Sequence, residues 1–157
     1  MGRAGAGGGR LGVVRAVLDT NVLISGLARL DAWASVPGDI LRRWLDDEFE
    51  LIVSPDILAE LDRTWSKPYF RSHRSLPHVV GAEGAVRALA KVVLPSTTVS
   101  GVAPHPEDDL VLAAAVSAEA DYLVTGDKRF QALGSYAGVT LLSPRAFLDI
   151  LETTANP

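Results

Sequence analysis

A chain of 157 residues with 48% hydrophobic content can bury one substantial core, and no composition break marks a second domain. The absence of cysteine excludes a disulfide framework, a thiolate nucleophile and a cysteine-ligated zinc or iron–sulfur centre. The net charge of −4 opposes a broadly basic nucleic-acid surface, but if several acids gather at one site the remaining charges balance and local basic patches are free to act. No apolar run approaches the roughly 20 residues of a membrane span, so a soluble, cytoplasmic protein without a membrane partner is expected. The opening MGRAGAGGGRLG lacks the apolar stretch of a secretory signal and reads as a flexible Gly-rich arm over 1–12. One domain is expected over 13–152, followed by a short tail at 153–157.

Residues 16–18 are an apolar run too short for a helix and read as a buried strand. Val22, Leu23, Ile24 and Leu27 then recur at helical spacing, so Asp19 stands at the turn between strand and helix. Helix capping alone accounts for one such Asp. The same position is also where the carboxyl ends of parallel strands face a ligand crevice, and the chain repeats the move from apolar run to acid three more times.

Ile40, Leu41, Trp44 and Leu45 share a helix face with Pro37 near its start, and Arg42, Arg43, Asp46 and Asp47 form the solvated side. Residues 49–53 read as a second buried strand, and Ser54 with Pro55 as a helix start. Ile57, Leu58, Leu61 and Trp65 form that helix's apolar stripe; Glu60 lies at its edge. From Arg63 to His78 there is no acid, but Arg63, Lys67, Arg71 and Arg74 alternate with Trp65, Tyr69 and Phe70. Cations hold phosphates and rings stack unpaired bases, which makes the segment a candidate contact for single-stranded RNA, with Trp65 assigned to the core.

Val86, Leu89, Ala90 and Val93 mark a further helix closed by Pro95, and a polar connection with a short strand around Val99 follows. Residues 110–118 are apolar nearly all round, as in a helix buried between layers. Pro106, Glu107, Asp108 and Asp109 crowd its first turn, where the helix dipole favours anions. Asp108 fits that capping role, whereas Asp109 abuts the buried run and is better placed to enter a cleft. Residues 122–124 form another strand, and Thr125, Gly126 and Asp127 repeat the geometry of Asp19. A last strand over 138–142 leads through Ser143 and Pro144 into a helix carrying Phe147, Leu148 and Ile150. This alternation predicts an α/β fold with a parallel sheet and helices on both faces.

If Asp19, Glu60, Asp109 and Asp127 converge at one sheet edge, two of them about 5 Å apart repel by roughly 3 kcal/mol at an effective dielectric near 20. A cation relieves that repulsion, and all-oxygen ligation selects Mg²⁺ or Mn²⁺. Such an ion activates water and stabilises the leaving oxygen of a phosphodiester, so hydrolysis of a nucleic-acid backbone is the expected chemistry.

LDTNVLISGL, SPDILAEL and DDLVLAAAVSAEADYLVTGDKRF, taken in order, resemble the motifs of the PIN-domain ribonucleases, including the VapC-like toxins of toxin–antitoxin pairs. The likeness runs from about Val14 to Leu151. It implies a Rossmann-like three-layer α/β/α sandwich with a central parallel sheet, and a Mg²⁺- or Mn²⁺-dependent endoribonuclease with Asp19, Glu60, Asp109 and Asp127 as catalytic residues and metal ligands. Two residues separate the family's acid from its Leu-Ala pair, which picks Asp109 over Asp108. Asn21, Thr125 and Asp108 are then candidates for orienting ligands or water. Arg63, Lys67, Arg71, Arg74, Lys128 and Arg129 are candidate RNA contacts, and a cognate antitoxin and a homodimer are the implied protein partners. The 48 residues between Glu60 and Asp109 carry a basic insert unlike the smallest toxins. The competing reading is a non-catalytic RNA-binding or protein-interaction module of the same fold. A receiver or phosphatase sheet is disfavoured because Asn21 stands where a second Asp is needed and no Gly-rich phosphate loop with Lys is present. His73, His78 and His105 read as solvated surface histidines.

Overall fold

The computed structural model describes residues 12–32, 34–74 and 77–155, with backbone alone at 71, 73, 74, 77–79 and 155. The Gly-rich segment 1–11 lies outside the described residues.

Short runs of β-branched and aliphatic residues, too brief to make a helical stripe, supply the strands. They are β1 Arg15–Leu18, β2 Glu50–Val53, β3 Lys91–Val92, β4 Tyr122–Val124, β5 Ser135–Tyr136 and β6 Val139–Leu142, in the sheet order β3-β2-β1-β4-β6-β5. Every pairing is parallel except the β5–β6 hairpin. β1 lies in the middle, with Val17 opposite Ile52 on one side and Leu123 on the other. Ala16, Val17 and Leu18 are all buried, as expected of a strand covered on both faces.

The strand order fixes where a ligand can sit. From β1 the chain builds outward through β2 and β3, then returns to the other side of β1 to lay down β4, β6 and β5. The order therefore reverses between β1 and β4. In open parallel sheets that reversal leaves a crevice beyond the carboxyl ends of the two strands, because the helices that follow them depart in opposite directions.

The helices are α1 Thr20–Ala28, α2 Val36–Leu45, α3 Pro55–Trp65, α4 Pro68–Arg74, α5 Pro77–Leu89, α6 Pro106–Ser117, α7 Lys128–Gln131 and α8 Pro144–Ala155. Their starts follow local chemistry. Ser54 Oγ accepts the Ile57 N–H at 3.2 Å with Pro55 next in line, and Ser35 Oγ accepts the Gly38 N–H at 3.2 Å. α6 packs against β1, β2 and β4, and Val111 to Ala115 are buried there, in keeping with its all-round apolar character. α1 and α2 cross unusually closely. A Cβ on Gly26 would collide with Leu41 and stand 2.7 Å from the Pro37 carbonyl oxygen.

The Ile57, Leu61, Trp65 stripe is buried as its spacing predicts, and Trp65, fully inside, stacks on Phe70 with ring centroids 5.4 Å apart. Two local expectations give way to tertiary context. The helix over the eighties stops at Leu89, which is 72% exposed rather than on the buried side, and Lys91–Val92 join the sheet instead by pairing with Ile52 and Val53. Val99 fills the core from a loop, not from a strand. The basic segment after Trp65 is helical over Pro68–Arg74. The two-residue strand Lys91–Val92 is decided by the open edge of β2, which periodicity does not report.

Candidate metal centre

Leu18 pairs with Val124, so the residues following β1 and β4 leave the sheet side by side. Asp19 caps α1: its Oδ1 accepts the Thr20 N–H at 2.8 Å, while its own N–H donates to the Val124 carbonyl at 2.8 Å. The Thr125 hydroxyl donates to Asp19 Oδ2 at 2.8 Å and accepts the Asp127 N–H at 3.1 Å. Fully buried Thr125 thus ties the two acidic turns together. Asp127 caps α7 through Oδ1, which accepts the Arg129 N–H at 2.8 Å and the Phe130 N–H at 3.4 Å; both bonds engage the same oxygen. Gly126 at this turn is exposed.

The first turn of α6 provides the third acid, and it is Asp108. Asp109, expected at the metal, points the other way. It is only 7% exposed, and its two oxygens accept the backbone N–H groups of Gly101 (2.8 Å), Val102 (3.2 Å) and Ala103 (2.8 Å). Burial alone would raise its proton affinity, but the three N–H donors together hold its carboxyl below the ordinary range. Asp109 is a clasp for the loop entering α6. Successive helix residues project about 100° apart, so adjacent acids at 108 and 109 serve different sides of one turn.

Asp19, Asn21, His105 and Asp108 line two adjoining clefts. One, of about 180 Å³, continues along α3 past Glu60 and Arg63; the other, of about 500 Å³, continues past Gly126, Asp127 and Pro144. Glu60, at the edge of the α3 stripe as its spacing predicts, is half-buried on the first cleft's wall and pairs with Arg63 at 2.7 Å. Arg63 also lines this cleft, and Lys128 and Arg129 are exposed directly after Asp127. Lys67 is exposed, and the side chains of Arg71 and Arg74 lie outside the described residues.

The electrostatics of the cluster are those of partly buried acids crowded together. Burial pushes Asp19 above the ordinary carboxylate range, against the bonds from Thr125 and Thr20, and the charges of Asp127 and Glu60 push it further. Asp108 is raised to about 6, first by burial and then by Asp19, with His105 opposing the shift and Asp127 and Glu107 adding to it. Two further observations bear on whether the residues suit a divalent ion. One ligand atom each from His105, Asp108 and Asp127 all lie within 4.8 Å of one another. Thr20, on the wall of the same cleft and 5% exposed, has a hydroxyl with no hydrogen-bond partner among the described residues, a group that a ligand oxygen or ordered water would satisfy. The donor set fits a divalent cation.

His105 was not singled out from the sequence. The available signal was its place three residues before Asp108 at a helix start, where both side chains overhang the same end.

The fold is thus a mostly parallel α/β sheet with an acidic crevice at its topological switch point, the place where open parallel sheets take their ligands. The family model of the PIN domain matches residues 15–129, from β1 into α7, and the chain belongs to the PIN-domain family. That span contains Asp19, Glu60, Asp108, Asp109 and Asp127. PIN domains are generally nucleases that act on nucleic acids and typically use divalent metals. A comparison with curated proteins gave no match. No helix among the described residues is long and apolar enough to cross a membrane.

Proposed function

We propose that the chain is a Mg²⁺- or Mn²⁺-dependent endoribonuclease that hydrolyses RNA phosphodiester bonds, and that it is the toxin of a toxin–antitoxin pair. The observation that carries the nuclease reading is the convergence of Asp19, Asp108 and Asp127, from the ends of β1 and β4 and the start of α6, with Glu60 on the cleft wall. Asp108 takes the place that Asp109 held in the sequence-based set, so Asp19, Glu60, Asp108 and Asp127 would hold the ion. When bound, the ion supplies Lewis-acid stabilisation of the phosphodiester and lowers the pKa of a water molecule.

The chain's own residues do the positioning. Thr125 and the Thr20 N–H hold Asp19 in one rotamer, and capping of α7 holds Asp127. The two clefts meeting at the cluster suit a single strand that passes across it. Asn21 lines both and offers an amide to phosphate oxygen or water. Arg63 on one cleft wall, and Lys128 and Arg129, exposed just after Asp127, would hold flanking phosphates. Tyr69, 64% exposed beside Phe70, offers a ring face for an unpaired base. A cognate antitoxin and a homodimer complete the reading, and their support is the resemblance to VapC-like toxins.

Cleavage of a labelled single-stranded RNA by the parent and by Asp19→Asn, each with Mg²⁺, Mn²⁺ or EDTA, tests the activity. Metal-dependent cleavage by the parent alone is expected; equal cleavage by the two proteins rejects it. Growth arrest on expression of the parent, absent with Asp19→Asn and relieved by the product of a neighbouring small open reading frame, tests the toxin role.

A further inference from the structure

His105 holds the N-cap position of α6 in extended backbone conformation. Its carbonyl accepts the N–H groups of Asp108 at 3.0 Å and Asp109 at 3.2 Å, but its side chain makes no capping hydrogen bond. The residues that stabilise this position through their side chains are Ser, Thr, Asp and Asn. The imidazole instead lies exposed where the two clefts meet, grouped with a carboxylate oxygen of Asp108 and one of Asp127. The first-turn register that sends Asp109 to the 101–103 loop leaves Asp108 and His105 on the cleft side together.

A nitrogen donor changes which ion such a site prefers. Mg²⁺ takes oxygen ligands and keeps its waters, whereas imidazole is a good ligand for divalent transition ions. A purely carboxylate site separates Mn²⁺ from Mg²⁺ weakly. Replacing one oxygen donor by imidazole favours the transition ion. We infer that His105 is a ligand of the divalent ion in this cleft and biases the site toward Mn²⁺ and other transition ions over Mg²⁺. The inference rests on the metal-dependent reading of the same cleft.

Direct binding tests it without reference to turnover. Mn²⁺ is titrated into the metal-stripped full chain and followed by the electron paramagnetic resonance of the free ion, with Mg²⁺ measured by competition. The parent is expected to prefer Mn²⁺ by about tenfold or more, and His105→Gln to lose about tenfold in Mn²⁺ affinity while its Mg²⁺ affinity stays within about threefold. Echo modulation from a coordinated ¹⁴N is expected on Mn²⁺ bound to the parent and not on Mn²⁺ bound to the variant. Unchanged circular dichroism and melting temperature in His105→Gln show that the fold is intact. Bound Mn²⁺ without nitrogen coupling, or a His105→Gln variant with the parent's ion preference, overturns the role of His105 while leaving the nuclease reading in place. Loss of RNA cleavage in His105→Gln with Mn²⁺ affinity unchanged makes His105 a substrate contact and also overturns it. Mn²⁺ binding that survives Asp108→Asn undiminished places the ion elsewhere and removes both readings.

Discussion

Neighbouring acids at the start of α6 are expected to fail in opposite ways when each is neutralised. In Asp109→Asn one carboxylate oxygen becomes an NH₂ group that faces backbone N–H donors, so at least one of the three bonds to Gly101, Val102 and Ala103 turns repulsive and the others lose their charge assistance. Hydrogen bonds to a charged group are worth about 1.5–3 kcal/mol, and a buried donor left unpaired costs about 1–3 kcal/mol. A loss of about 3 kcal/mol follows. For a domain of this size each kcal/mol moves the melting temperature by about 2–4 °C, so the drop is about 6–12 °C. In Asp108→Asn the change relieves repulsion. A shift from 3.8 to about 6 corresponds to roughly 3 kcal/mol at full burial; in a solvent-open cleft we discount this to about 1 kcal/mol of added stability for the metal-free protein at neutral pH. Divalent-ion affinity and RNA cleavage are expected to vanish in Asp108→Asn and to persist in Asp109→Asn below its melting temperature. Urea or thermal unfolding in EDTA, paired with Mn²⁺ titration and cleavage assays, reads both effects. A stable but inactive Asp109→Asn beside an active Asp108→Asn would refute this division of labour.

Stability of the metal-free protein should fall as pH rises across the acidic range. The raised proton affinities of Asp19 and Asp108 contribute stability that is complete below the unfolded carboxylate range near 4 and is lost as pH climbs through their folded values, about 6 for Asp108. Asp109, shifted the other way, contributes stability above the unfolded range that disappears as pH falls through its lowered value. Melting in EDTA should therefore be higher near pH 5 than near pH 7.5, with a smaller difference in Asp108→Asn; an identical slope in that variant contradicts the assignment. Thr125→Val removes the hydroxyl shared by Asp19 and Asp127 and is expected to cost about 1–3 kcal/mol and weaken Mn²⁺ binding, with Thr125→Ser restoring both. Unfolding and metal titration of the two variants decide it. Gly26→Ala should destabilise by about 1–3 kcal/mol by forcing α1 from α2, with cleavage per folded molecule unchanged; a neutral effect on the melting temperature would show that the helices separate freely.

The strands β1, β2, β4 and β6 and the buried faces of α1, α3 and α6 were legible because each combines a strong pattern with a punctuating residue. Asp19, Ser54–Pro55 and Asp127 mark their ends as plainly as the apolar runs mark their middles. β3, β5 and α4 were not, since elements of two to seven residues take their form from a neighbour: Lys91 and Val92 are strand because the edge of β2 is open beside them. Asp19, Glu60 and Asp127 were identifiable as site candidates from their positions at strand ends or at the margin of a helix stripe, and all three line the joined clefts.

The sequence by itself determined that acids would follow buried strands in a chain of alternating β and α segments, because local spacing and the burial of short apolar runs depend only on nearby residues. It could not determine which of two adjacent aspartates faces the cleft. That choice depends on a loop at 101–103 whose free N–H groups take Asp109 and so leave Asp108, with His105, to the crevice. Nor could it show that Thr125 clamps Asp19, 106 positions away, since only the side-by-side register of β1 and β4 brings the two within hydrogen-bonding distance.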